Sequence, residues 1–212
     1  MGQVRGDLAH EWEWPRTSEV FWGERDKECD HAGWARQTME HFALAKGMQS
    51  GALDCDLDKV SERVDREVLV QEAEAVQFPL ALAVAACQLY AVPRMISFMG
   101  AVSTIFEALG TILAGCSLAT TLARVLLYRL LVRVAASRPS VALRNVVDDV
   151  SGQALGASMR VAQQLGQAGR ELADGFAQLR LVLSVRKTWY LASSQLVADG
   201  LEAIWKPRRF AR

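Results

Sequence analysis

Residues 141–156, VALRNVVDDVSGQALG, decide the fold class. The apolar run 141–147 reads as a buried strand, Asp148-Asp149 as its polar end, and the segment that follows as a return strand or turn. Neighbouring residues of a straight strand point to opposite faces, so two adjacent aspartates serve one site together only at a hairpin tip, where this pattern puts them. On the C-terminal side, Leu165, Ala168, Leu172, Phe176 and Leu179 recur at steps of three and four, which predicts an amphipathic helix over 158–179. On the N-terminal side, SLATTLARVLLYRLLVRVAAS reads as a helix with Ser117 as its N-cap and with Arg124, Arg129 and Arg133 kept off its apolar side. Pro139 breaks it.

Further out, ALDCDL (52–57) reads as a short strand whose alternation places Asp54 and Asp56 on one face and Cys55 and Leu57 on the other. A short helix is expected over 33–46, helical or loop-helical structure over 58–76, and an alanine-rich helix over 80–90. RMISFMGAVSTIFEALG suggests a hairpin around Gly100 that ends at Gly110. LVLSV and KTWYLASS (187–194) then give a further strand, followed by a short helix and a basic tail over 206–212. This order describes an α+β layer, an antiparallel sheet with helices packed on one face. Residues 1–34, which hold Trp12, Trp14, Trp22 and Trp34 among many charges, read as a surface-packed lead-in more than as a strand-rich core; the indoles are expected to pack and not to stack on bases.

With 212 residues, 51% of them hydrophobic and 23% charged, the chain has enough apolar material for a core, and collagen-like, low-complexity and coiled-coil classes are excluded. Cys29, Cys55, Cys87 and Cys116 form no C-x-x-C pair, so neither a zinc module nor a disulfide framework is indicated. The polar N-terminus lacks a signal-peptide core, and an intracellular location, cytoplasmic or nuclear, is expected. Net charge is zero, but the acids concentrate before residue 77 and the bases after it. The basic part could attract a polyanion, or the two parts could simply attract each other. The charge-free stretch 75–93 approaches membrane-spanning length, yet Pro79, Pro93, Gln77 and Gln88 favour a buried helix. A small membrane protein with helices in 75–123 stands as an alternative.

Three carboxylates at strand ends, Asp56, Asp148 and Asp149, carry the chemical signal. Magnesium is a hard cation that takes oxygen ligands, and two such ions about 3.5–4 Å apart can activate an attacking hydroxyl and stabilise a leaving pyrophosphate. On the residues alone, an Asp-Asp pair is more often an ordinary polar turn, because turns favour aspartate.

The run Asp56-Leu57-Asp58-Lys59-Val60-Ser61-Glu62-Arg63-Val64-Asp65 resembles the first palm motif of reverse transcriptases of the non-LTR retroelement kind, D-L-x-K-A-F-D-x-V-D. Gly100, Ser103, Phe106 and Gly110 match the spacing of that family's G-x-x-S-x-x-F-x-x-x-G hairpin, and Gly115-Cys116-Ser117-Leu118 resembles its Q-G-C-P-L-S turn. Val146-Val147-Asp148-Asp149 is similar to its aromatic-x-Asp-Asp box, and the run from Leu179 to Thr188 is similar to L-G-L-x-x-N-x-x-K-T. The resemblance spans about residues 45–195.

It implies a polymerase palm over 45–195, a Trp-rich acidic lead-in and partial fingers remnant over 1–44, and a short helix and basic tail over 196–212. Asp56 and Asp148 would be the principal ligands of two Mg2+ ions, Asp149 the third acidic member, and the Leu57 carbonyl an extra ligand. Lys187 would lie near the triphosphate. Ser61, Ala114 and Gly115 fall where the family contacts template and incoming nucleotide. Ser61 replaces an aromatic that senses the sugar, Ala114 replaces a glutamine, and Val146 replaces the aromatic of the Asp-Asp box. The implied activity is RNA-directed DNA synthesis on an RNA template and DNA primer from deoxynucleotide triphosphates, by a truncated retrotransposon fragment. The residues flanking the palm are too few for complete fingers and thumb, so the isolated chain is expected to be impaired unless another chain supplies them. A noncatalytic nucleic-acid-binding or structural remnant is the other alternative.

Overall fold

A computed structural model describes residues 2–22, 27, 29–107, 112 and 116–205. In chain order these form α1 (Gly2–Glu13), a 3-10 turn (Trp14–Arg16), β1 (Phe21–Trp22), α2 (Cys29–Ala45), β2 (Gln49–Cys55), α3 (Val60–Arg63), α4 (Arg66–Ala75), α5 (Leu80–Ala91), β3 (Ser97–Phe98), β4 (Ala101–Val102), α6 (Ala119–Ser137), β5 (Ala142–Val146), β6 (Asp149–Gly156), α7 (Ser158–Gln178), β7 (Trp189–Ala192) and α8 (Gln195–Ile204). The chain divides into two units that interleave in sequence. One comprises Met1–Arg16, Lys59–Arg129 and Leu179–Leu181; the other comprises Thr17–Asp58, Leu130–Gln178 and Val182–Arg212.

The second unit is built on a five-stranded sheet in the order β1-β5-β6-β2-β7. β5, β6, β2 and β7 pair antiparallel, as the α+β reading expects, and β1 joins the edge parallel to β5. β2 pairs with β6 in the register Leu53↔Gly152 and Cys55↔Val150. The predicted stripe of α7 is buried at Leu165, Ala168, Leu172 and Phe176, and the helix packs on β2 and β6 with α8 beside it. Gly51 permits that approach: a Cβ there would stand 2.8 Å from Leu165 Cδ1 and 3.0 Å from Val161 Cγ1. Besides this helical layer, α2 touches β2 and β6 through side chains of the alternate register positions. Gln153 Nε2 donates to the Arg36 carbonyl (3.1 Å), and Arg36 Nη1 donates to both oxygens of Asp54 (3.0 and 2.9 Å).

The β5–β6 hairpin closes with Val146 opposite Asp149, so Val147 and Asp148 form the turn and Asp149 opens β6. The sequence reading put both aspartates at the tip; the register moves the turn back by one residue. Val147 has φ 58°, in the left-handed region where a β-branched residue is strained. The buried Asn145 amide holds this backbone by donating to the carbonyls of Val147 and Asp149, each at 3.2 Å. β1 is the element that the lead-in reading missed. Phe21 is buried, and the Asn145 N–H donates to the Val20 carbonyl at 2.6 Å. Two apolar residues amid charges carry too little periodicity to announce a strand.

In the first unit Trp12 is buried, as the packing expectation has it. Its Nε1 donates to the Val76 carbonyl (3.0 Å), and Phe78 and Tyr128 meet its ring edge-on. Trp14 and Trp34 are exposed. Arg124 departs from expectation. It is buried because its guanidinium lies 5.8 Å from the centre of the Trp12 ring and its Nη2 donates to the Arg16 carbonyl at 2.6 Å. Asp65 caps α4 by accepting from the N–H groups of Glu67 and Val68. The predicted hairpin turns at Met99 and Gly100, both with positive φ; its expected end at Gly110 lies outside the described residues, as does the basic tail. Residues 80–91 form the alanine-rich helix between Pro79 and Val92. No helix among the described residues is long and apolar enough to cross a membrane, which removes support from the membrane reading of 75–123.

Candidate functional site

Period-two geometry fixes the site. β2 buries Leu53 and Cys55 and presents Asp54 to the other face, with Asp56 immediately beyond its end, while β6 opposes Ser151 to Asp54 and starts at Asp149. On this face a cavity of about 660 Å³ is lined by Asp54, Asp56, Asp149, Arg36, Arg144 and Lys187, among others. All of its lining belongs to the second unit.

Asp56 is anchored by the turn that carries Lys187. The Ser184 N–H donates to the Asp56 carbonyl (2.8 Å), the Asp56 N–H donates to Thr188 Oγ1 (3.3 Å), and the turn closes on itself through Thr188 N–H to the Ser184 carbonyl (2.8 Å). Lys187 Nζ then stands 3.5 Å from Asp56 Oδ1. Asp149 is the electrostatically stressed carboxylate. Burial and then the charges of Asp148 and Asp56 push its pKa above the ordinary value, Asp54 adds to this, and Lys187 opposes it. Cys55, on the buried side of β2, is pushed up to about 12 by burial and by the neighbouring Asp54, which makes it an inert thiol.

The structure therefore brings together Asp56, Asp149 and Lys187. Asp148 sits on the adjoining turn, close enough to raise Asp149 but absent from the cavity wall. Leu57 is buried and bridged to Leu183. Ser61 lies on α3 in the first unit, where its carbonyl accepts from the Ile112 N–H at 2.9 Å. Ala114 and Gly115 lie outside the described residues. Among the described residues no group of three or more His, Cys, Asp and Glu side chains has the spacing to hold a metal ion.

Sequence reasoning passed over Arg36, which neutralises Asp54, and Arg144, which is buried in β5 yet lines the cavity. Arg144 had a visible signal: a cation inside an apolar strand, two residues from Val146 and hence on its face. Arg36 had none, because its partner lies in a different element.

No protein-family model and no curated protein matches the sequence. Among solved structures, the fold is similar to apo telomerase from Candida tropicalis truncated from its C-terminal domain, with TM-score 0.65 and 11% identity over 91% of this chain and 40% of that one. It is also similar to telomerase from Candida tropicalis in complex with a TWJ fragment of telomeric RNA (TM-score 0.63, 12% identity, 91% and 33% covered). A third similar structure is telomerase from Candida albicans with such a fragment (TM-score 0.62, 12% identity, 92% and 35% covered). The chain thus spans between 33% and 40% of the length of these telomerase chains. At such identities the common property is the fold alone.

Proposed function

We propose that this chain is the palm part of an RNA-directed DNA polymerase of retroelement type, whose reaction is nucleotidyl transfer assisted by two Mg2+ ions. The observation that carries the reading is the convergence on one cavity of Asp149, which opens β6, and Asp56, which follows its antiparallel partner β2, with Lys187 beside them. The similarity to telomerase supports the fold-level part of it.

The donor set suits magnesium in kind, because carboxylate oxygens are hard ligands, and Mg2+ is commonly held by one or two carboxylates plus waters and substrate phosphates. Asp56 and Asp149 would hold it, the remaining positions being left to water and substrate phosphate. The crowding that raises Asp149 is what a divalent cation at this place would relieve. When bound, magnesium would lower the barrier by polarising the phosphoryl oxygens and activating the primer hydroxyl. The chain's own contribution is positioning. Thr188 and Ser184 fix the backbone of Asp56, Asn145 fixes the turn, and Lys187 would supply an exposed cation for a triphosphate or departing pyrophosphate.

The partners in this reading are an RNA template, a DNA primer and deoxynucleotide triphosphates. An intracellular setting, cytoplasmic or nuclear, accords with the free thiols of Cys55, Cys87 and Cys116. The test is primer extension on an RNA template with magnesium, comparing the chain with Asp56→Asn and Asp149→Asn. Extension that both substitutions abolish supports the proposal. Nucleic-acid binding without extension, unchanged by either substitution, overturns it in favour of a noncatalytic binding remnant.

A further inference from the structure

We propose that Arg144 and Arg186 form a phosphate subsite in the same cavity, separate from the carboxylates, which takes a phosphate group of a nucleotide or polynucleotide. Arg144 is 6% exposed and lines the cavity, yet its two hydrogen-bond partners are uncharged. Nη1 donates to Gln153 Oε1 (3.3 Å), and Nη2 contacts Met39 Sδ (3.1 Å). Among the described residues it has no carboxylate within ion-pair distance. A guanidinium keeps its charge and offers five N–H donors, so a buried one with only a neutral amide and a thioether as acceptors is incompletely compensated. Burial, followed by the charge of Arg36, lowers its pKa, which is the signature of a cation lacking an anion.

The other charges of the wall separate into satisfied and unsatisfied groups. Arg36 holds Asp54 at 2.9 Å, and Lys187 stands 3.5 Å from Asp56. Arg186 also lines the cavity, is exposed, and has no hydrogen bond or ion pair among the described residues. The wall thus carries two cations without an anion, one deep and one accessible, and a planar fork of N–H donors is the group best suited to a phosphate. Ala32 and Gly33, which line the cavity from α2 beside Arg36, add almost no side-chain bulk of their own. Trp189, 48% exposed, supplies an aromatic face in the same wall for an attached base. The inference does not require catalysis, since it uses none of the proposed metal ligands.

The test is titration of the full chain without divalent cations, with inorganic pyrophosphate in one arm and a fluorescein-labelled oligo(dT) in the other. Saturable binding is expected in at least one arm, weakened about tenfold or more by Arg144→Met and by Arg186→Gln and unchanged by Arg170→Gln on α7. Binding of pyrophosphate identifies a free nucleotide phosphate as the ligand; binding of the oligonucleotide alone identifies the polynucleotide backbone. Should Arg144→Met not fold, the exposed Arg186→Gln and protection of Arg144 from phenylglyoxal by whichever probe binds, read by mass spectrometry on the unmodified sequence, decide the matter. Absence of saturable binding, equal binding by Arg186→Gln, or unprotected Arg144 overturns the subsite. Because magnesium is left out, failure here is distinct from failure of primer extension.

Discussion

Lys187 Nζ lies 3.5 Å from Asp56 Oδ1, so the cation that would meet a triphosphate is already held by the carboxylate that would meet a metal. The pair is surface-accessible on the lysine side, and its energetic worth is small. Its meaning is positional. Under the proposed function, Lys187→Met lowers the rate of primer extension by about 100-fold, in the range of a positioned proton donor, and Lys187→Arg recovers part of it. Single-turnover extension measures this directly. An unchanged rate in Lys187→Met removes the lysine from the proposed mechanism.

Asp149 gives a pH prediction with a definite sign. Its pKa is raised in the folded chain, so the ionised carboxylate costs stability. That cost is absent below the ordinary aspartate range, grows as pH rises from there through the raised value, and is complete above it. Asp149→Asn should therefore raise Tm at neutral pH by a few degrees at most, and the gain should vanish in acid. Thermal melts of both proteins across this window check it; a gain that persists in acid contradicts the electrostatic origin.

Val147 predicts a stabilising substitution. Its left-handed φ suits Asn far better than a β-branched residue. Val147→Asn should gain about 1 kcal/mol in denaturant unfolding. No gain would show that the turn relaxes without strain.

Gly51 predicts the opposite. A methyl group there meets Leu165, Val161 and Val197 within 3.4 Å, on the seam between sheet and α7. Gly51→Ala should cost about 1–3 kcal/mol, because three branched side chains must give way together. The unfolding midpoint, with unchanged dependence on denaturant, is the measurement.

Much of the architecture was legible in the sequence because it is periodic. The stripe of α7, the alternation in β2 and the Asp-Asp hairpin each announce themselves within a few residues, and Asp54 and Asp56 fall on the face their spacing requires. Long-range chemistry did not announce itself. Nothing near Arg36 in sequence names Asp54 as its partner, and nothing near Arg124 names the Trp12 ring that draws it inside. The turn was read one residue late because Asp is the common turn residue and Val is not, so local preference favoured the wrong pair at a strained tip. β1 was lost because two residues cannot display a period.

β2 has a history that its place between β6 and β7 imposes. Its Asp54 is paired with Ser151 on one side and Trp189 on the other, both of which are synthesised long after it. A nascent chain that emerges N-terminus first must therefore carry this strand with both hydrogen-bonding edges unsatisfied until most of the protein has left the ribosome. Folding of the second unit is thereby tied to late, distant contacts, the slow class of topology. A chain stopped before residue 189 would keep one of those edges open, and its fate would be association with other chains through that edge.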